Sequence, residues 1–236
     1  MGDNFRREGD TKSERMRAKA RRSVLRLLSL VIAAGCIFQA TSPVDGRPLP
    51  LDSLLPKPKP YPEDAVGTAR WLVSENSWGV LNTIADDLGG APFGNVVSFC
   101  DGPPDEGTGI PYFYLTTLDP TAQYALKDER ASFTTSEYPV GTCGKRDPEN
   151  PTCAKITLTG KLKMLNGNSE EAEFAQKSLF ARHPEMKDWP KDHDFRVFKL
   201  DIQNIFLIDW FGGPKPITLD EYLHTNRSRN TLGLSQ

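Results

Sequence analysis

Residues 154–165, AKITLTGKLKML, constrain the fold of this chain more than any other stretch. Ile156, Leu158, Leu162 and Met164 alternate with Thr157, Thr159, Lys161 and Lys163. Side chains two apart share one face of an extended strand, so this run has one buried and one wetted face. A helix would scatter the same four apolar residues around its circumference. Such a strand needs partners, and six further runs qualify: 78–84, 95–101, 111–116, 130–138, 195–202 and 204–210. Seven strands with turn signals between them predict a mainly β fold, an antiparallel barrel or sandwich. Helices are fewer. The sequence predicts them over 67–76, 119–128 and 168–183. Asp119 before Pro120 reads as an N-cap followed by proline at the first helical position. Asn168 with Glu171 reads as a capping box, and Ala172, Ala175, Leu179 and Phe180 as the apolar stripe behind it.

Charge is unevenly distributed. Of the 29 Lys/Arg and 31 Asp/Glu, nine and four fall in residues 1–26, leaving 20 and 27 for the rest. An acidic body argues against direct nucleic-acid binding, which needs a basic face to meet phosphates. After the basic segment comes LLSLVIAAGCIF, residues 27–38, without a charge. As a helix it spans about 18 Å, too short for a stable membrane span and of the length of a signal-peptide core. A cleaved signal peptide over 1–40 is the expectation, with a signal anchor as the alternative. Residues 41–65 hold seven of the 19 prolines, including PKPKPYP, and read as an extended arm without a core of its own. The folded domain is expected over 66–223, followed by a polar tail, 224–236.

Cysteine usage fits an oxidising compartment. Cys143 and Cys153 lie ten apart around a turn-rich loop, and a small disulfide loop is favoured over two free buried thiols. Cys100 is left as a buried small hydrophobe. There is no CxxC pair, and His183, His193 and His224 lack ligand spacing, so no metal site is expected. Asn226-Arg227-Ser228 is a glycosylation acceptor in the tail, whereas Asn150-Pro151-Thr152 is excluded by its proline. No dinucleotide, P-loop, serine-hydrolase or zinc-protease motif occurs, so no catalytic residue is assigned. His183 sits at a helix end, where a capping role outweighs general-base chemistry.

The order of elements resembles the FMN-binding split β-barrel, the fold of the pyridoxamine-phosphate-oxidase-like proteins. Within it, ARWLVSENSWGVLNTI, DGPPDEGTGIPYFYLT, SLFARHPEMKDWP and NIFLIDWFGGPKPITLDEYL are similar to the CREG family, the cellular repressors of viral-early-gene-stimulated transcription. The similarity runs from about Ala65 to Leu223. It implies a secreted or endosomal–lysosomal glycoprotein in growth and differentiation control, a homodimer, and a flavin-type fold not known for catalysis. It also implies a cofactor pocket obstructed by the protein's own loop, and glycans that bind the mannose-6-phosphate receptor. This sequence departs from that pattern in offering Asn226 alone as a sequon, so receptor capture would rest on that one glycan.

An FMN phosphate needs cations or free N–H groups. The vestigial pocket candidates are Thr116, Thr117 and Asp119. The Asp119 carboxylate repels a phosphate and Pro120 removes an N–H that could hold one, so no cofactor is expected. The stretch from Pro139 to Cys153 is the candidate for the loop that fills the pocket. Two function classes stay open: a non-enzymatic glycoprotein acting through partners, and an FMN- or haem-handling oxidoreductase. A nuclear regulator is disfavoured by the signal peptide, the sequon and the acidic body.

Overall fold

A computed structural model describes residues 57–104 and 106–225 of the chain. The expected signal segment, most of the proline-rich arm and Asn226 lie outside these residues. The elements run α1 (Ala65–Glu75), β1 (Trp78–Ala85), β2 (Ala91–Cys100), β3 (Tyr112–Thr116), α2 (Pro120–Lys127), β4 (Arg130–Ser136), β5 (Lys155–Met164), α3 (Glu170–Arg182), β6 (Phe195–Ile208) and α4 (Leu219–His224). All neighbouring strands are antiparallel, and they close into a barrel in the order β1-β2-β3-β6-β5-β4.

The barrel has six strands where the sequence predicts seven, because the runs 195–202 and 204–210 are one strand. Thr159 pairs with Asn204 and Gly160 with Ile202, so Gln203 is an extra residue without a partner. This β-bulge reverses the alternation: Ile202 and Ile205, three apart, are both buried, while Gln203 and Asn204 between them face water. Two adjacent polar residues that read as a turn are the bulge itself. Gly160 is required opposite it, since a Cβ there would stand 2.0 Å from the Asp201 carbonyl oxygen.

Inside the barrel Phe99, Phe113 and Phe133 meet at its centre, with Phe133 4.5 Å from Phe99 and 5.2 Å from Phe113 between ring centroids. Ile156, Leu158 and Leu162 supply the buried face read from the alternation, whereas Met164 at the strand end is exposed. Helix α1 adds Ala69, Trp71, Leu72 and Val73 to the same core. Helix α3 packs outside the barrel, its Ala175 and Leu179 against Cys100, Tyr112 and Val197. Its N-cap is Ser169, whose hydroxyl accepts from Ala172 N–H, not Asn168. Glu171 turns away to Lys199 at 2.8 Å and Tyr112 at 3.2 Å. A capping box does occur, Thr218 with Glu221, at the six-residue α4. That helix carries Tyr222, which is fully buried, donates to the Gly109 carbonyl and stands 5.4 Å beneath Arg70. Arg70 also donates to the Gly107 carbonyl at 2.6 Å. The glycine-rich loop after β2 and the C-terminal helix are thereby tied to α1.

Residues 57–62 of the proline-rich stretch lie on the domain. Trp71 Nε1 donates to the Lys57 carbonyl, Lys215 to the Pro62 carbonyl, and Lys59 Nζ reaches Glu137 at 2.6 Å. Glu137 is buried, and its carboxylate also accepts from Ala154 N–H and Thr142 Oγ1. Burial pushes the Glu137 carboxyl up. The Lys59 ammonium and the two neutral donors outweigh it and hold the group below the usual carboxylate range. Cys143 and Cys153 are joined as a disulfide beside this carboxylate, their Cα atoms 5.3 Å apart.

Candidate functional site

The barrel is not evenly sewn. β2 pairs with β1 along eight residues but with β3 only at Phe99–Phe113 and Cys100–Tyr112. Beyond those two pairs β2 and β3 diverge, and a cavity of about 220 Å³ opens in the seam. Asn95 to Ser98 form one wall and Tyr114 to Thr116 the other, with Asp119 at one end. Pro92 lies on the stretch of β2 that pairs with β1 but not with β3, so a missing N–H on the β3 side costs no ladder bond.

The seam is covered by the connection between α3 and β6. Two short 3₁₀ turns, Pro184–Asp188 and Lys191–His193, carry Met186 and Trp189 over the opening. Met186 is buried. Trp189 packs 4.9 Å from Phe195 and 6.1 Å from Tyr114, and Tyr114 stacks on Phe195 at 5.0 Å. A second cavity, of about 450 Å³, lies on the other side of this aromatic wall and is bordered by Lys187, Lys191, Asp194 and Arg196. His183 holds the segment at its start: its backbone N–H closes α3 on the Leu179 carbonyl, and its ring Nε2 meets the Phe99 carbonyl at 2.9 Å. The histidine is a structural anchor, bridging helix end and strand rather than capping helix carbonyls with its ring.

Thr116, Thr117 and Asp119 come together at the end of this seam, as neighbours in the chain must, and each is engaged by the protein itself. Thr116 Oγ1 donates to the His193 carbonyl and accepts from Leu118 N–H. Thr117 Oγ1 donates to Asp194 at 3.1 Å. Asp119 caps α2 by accepting from Thr121 N–H at 2.7 Å, and the Asn95 amide donates to it at 3.3 Å. Asp194 adopts a left-handed φ of 48°, and the Arg196 guanidinium at 2.7 Å holds its carboxyl below the usual range. The two threonines thus pin down the covering segment.

The loop from Pro139 to Cys153 lines neither cavity. The seam is covered instead by residues 184–194, to which the sequence assigns no part in closing a pocket. Trp189 and Phe195 bracketing Pro190 were the available signal. The disulfide loop packs instead at Glu137 and Lys59. Among the described residues the one cluster of metal-ligand types is Glu137, Cys143 and Cys153, and there the two sulfurs are consumed by the disulfide. Cys100 is buried, its thiol pushed up to about 12 by burial. No helix among the described residues is long and apolar enough to cross a membrane.

A second surface feature runs around the outside of the barrel. The register places Val96, Val80, Thr134, Thr157 and Phe206 side by side on five successive strands, all facing outward. Thr134 and Thr157 share a hydrogen bond of 2.9 Å. Measured along the barrel wall, the row extends about 19 Å around it. It carries no charged side chain, and Val96 is 64% exposed. Further along the chain from β6, Trp210 and Phe211 are exposed at 50% and 63% before a Gly212-Gly213 turn.

The CREG β-barrel family model matches residues 60–224. Protein CREG1 of Homo sapiens is 38% identical over 217 residues, covering 88% of this chain and 97% of the relative. Protein CREG1 of Gallus gallus is 41% identical over 169 residues, 69% of this chain and 87% of the relative. Among solved structures, a heme binding protein from Mycobacterium smegmatis superposes with a TM-score of 0.56 at 19% identity, over 68% of this chain and 60% of that one. The last likeness is one of fold.

Proposed function

The chain belongs to the CREG family, and from that premise we propose a secreted or endosomal–lysosomal glycoprotein without enzymatic activity, which acts through protein partners in growth and differentiation control and pairs with a second copy of itself. The observation that carries this reading is the uncharged outer row from Val96 to Phe206. Its exposed members, Val96 and Phe206, present apolar side chains to water, of the kind suited to another protein surface. The Cys143–Cys153 disulfide supports an oxidising compartment. Light scattering of the purified chain tests the pairing: a dimer mass at micromolar concentration is expected, and Phe206→Glu should give a monomer. A monomer mass for the unaltered chain refutes it. Secretion into the medium with a mobility shift on glycosidase treatment, lost in Asn226→Gln, tests the compartment and the glycan. Capture by the mannose-6-phosphate receptor should be lost in the same variant.

An FMN- or haem-handling oxidoreductase is the second reading, favoured by the aromatic seam and by the fold shared with a heme binding protein. Against it stand the engaged hydroxyls of Thr116 and Thr117 and the carboxylate of Asp119 at the helix start. The expected outcome is a colourless protein that does not quench flavin fluorescence saturably at micromolar concentration. Saturable quenching in that range would put the oxidoreductase reading first.

A further inference from the structure

We propose that residues 57–62 are a redox-sensitive strap, seated on the domain while Cys143 and Cys153 are joined and released when that disulfide is reduced. The strap's charged anchor is shared with the disulfide loop. Lys59 Nζ donates to Glu137 Oε2 at 2.6 Å and to the carbonyl of Thr152, next to Cys153, at 3.2 Å. Glu137 in turn accepts from Oγ1 of Thr142, next to Cys143, at 3.0 Å. It also accepts from the N–H of Ala154, on the other side of Cys153, at 2.9 Å. Thr142, Thr152 and Ala154, each adjoining a cysteine, therefore fix Lys59 and its carboxylate. The two sulfurs themselves lie within 4.8 Å of that carboxylate.

The disulfide is what holds that loop to the domain. Between the cysteines the chain forms turns, closed within the loop by Arg146 N–H to the Cys143 carbonyl, Asn150 to Asp147 and Cys153 to Asn150. Gly141 and Gly144 flank Cys143 at φ of 84° and 64°, and a Cβ on either would meet nothing within 4 Å, so the backbone there has room to turn. Without the bond, Thr142 swings away from Glu137 on these glycines and the Thr152 carbonyl is no longer pinned beside Lys59. Elsewhere the strap is held by Trp71 Nε1 on the Lys57 carbonyl, Lys57 N–H on Glu75 and Lys215 on the Pro62 carbonyl, and its three prolines have no N–H to add. A dithiol carries out the release: it passes two electrons and two protons to the two sulfurs and closes to its own disulfide. Cys143 and Cys153 are 2% and 0% exposed, so the dithiol reaches the bond as loop and strap open. By linkage, a seated strap opposes reduction by the same factor with which reduction opposes seating.

Lysine footprinting of the full chain tests the strap. Oxidised protein, and protein reduced with dithiothreitol and desalted under argon, are acetylated briefly with an N-hydroxysuccinimide ester, and each lysine is read by mass spectrometry. Labelling of Lys59 should rise about fivefold or more on reduction relative to Lys177, an exposed reference on α3, and fall back on reoxidation. Lys163, paired with Asp201 between β5 and β6, reports the barrel and should not change. Reciprocally, Lys59→Met should lower the dithiothreitol concentration at half-reduction by a similar factor, whereas Gly160→Ala, which strains the barrel at its bulge, should leave it unchanged. An unchanged Lys59 rate on reduction, an equal rise at Lys59 and Lys163, or an unaltered half-reduction point in Lys59→Met overturns the proposal. The footprint of the unaltered chain needs no variant and decides the question even where a substitution disturbs the fold.

Discussion

Replacing Lys59 by methionine removes the ammonium from a carboxylate that has nowhere to go. Glu137 is 1% exposed and Lys59 22%, with 2.6 Å between their charged atoms. At that distance and an effective dielectric of about 20 the gross attraction is about 6 kcal/mol, most of which offsets the cost of desolvating the two groups. Breaking a buried pair from one side costs about 3–5 kcal/mol. The lower end applies because Lys59 keeps part of its hydration and Glu137 keeps the Ala154 N–H and the Thr142 hydroxyl. A loss of about 3 kcal/mol should lower the thermal midpoint by roughly 6–12 °C for a domain of this size.

The pH dependence is the sharper test. In the unaltered chain the Glu137 carboxyl is held low, so its contribution to stability is complete above the ordinary carboxylate range and is lost as pH falls through the folded value. In Lys59→Met burial is no longer outweighed, and the folded value rises. The penalty is then present at neutral pH and is relieved as pH falls through that raised value. The two proteins should therefore differ most near pH 7 and converge toward about pH 4. Thermal unfolding followed by circular dichroism across this range measures it, and Lys59→Met/Glu137→Gln should recover most of the loss. A difference below about 0.5 kcal/mol at neutral pH, or one that does not change with pH, refutes the reasoning.

Gly160→Ala should destabilise the barrel by about 1–3 kcal/mol in urea unfolding, because its Cβ would meet the Asp201 carbonyl, which the bulge at Gln203 fixes in place. Cys143→Ser/Cys153→Ser should cost about 3 kcal/mol through the ten-residue loop it opens, and the lost protection in hydrogen exchange should be confined to residues around Glu137. Cys100, with its thiol pushed up to about 12 by burial, should resist iodoacetamide at mildly alkaline pH until the chain is unfolded, which mass spectrometry of the alkylated protein reads directly.

The barrel is legible in the sequence because its information is local: Ile156, Leu158 and Leu162 declare their face by alternation alone. The Asp119-Pro120 helix start is legible for the same reason, since cap and first turn lie within three residues. What escapes depends on partners distant in the chain. Whether Gln203-Asn204 is a turn or a bulge is decided by Thr159 and Gly160 on another strand. Ser169 and Asn168 are both good caps, and only the position of the first turn chooses between them. Helix α4 has six residues, too few for a periodic signal, and is held by Arg70 from the far end of the domain. The seam escapes for the strongest reason. Its walls come from β2, β3, the start of α2 and the 184–195 stretch, and nothing in the spacing of Tyr114, Trp189 and Phe195 announces that they touch.

The seam and its cover also bear on why a flavin-type fold would carry no flavin. A phosphate seated on Thr116 and Thr117 would need the two hydroxyls that now bond the His193 carbonyl and the Asp194 carboxylate. Releasing them loses two hydrogen bonds, about 1 kcal/mol each, and frees the residues that hold Trp189 against Phe195 and Tyr114, another 0.5–1.5 kcal/mol or so per ring pair. Roughly 3 kcal/mol of competition lowers affinity by about two decades before any repulsion from Asp119 is counted. On the reading that no flavin binds, closure of the seam and the lack of a phosphate site share one cause.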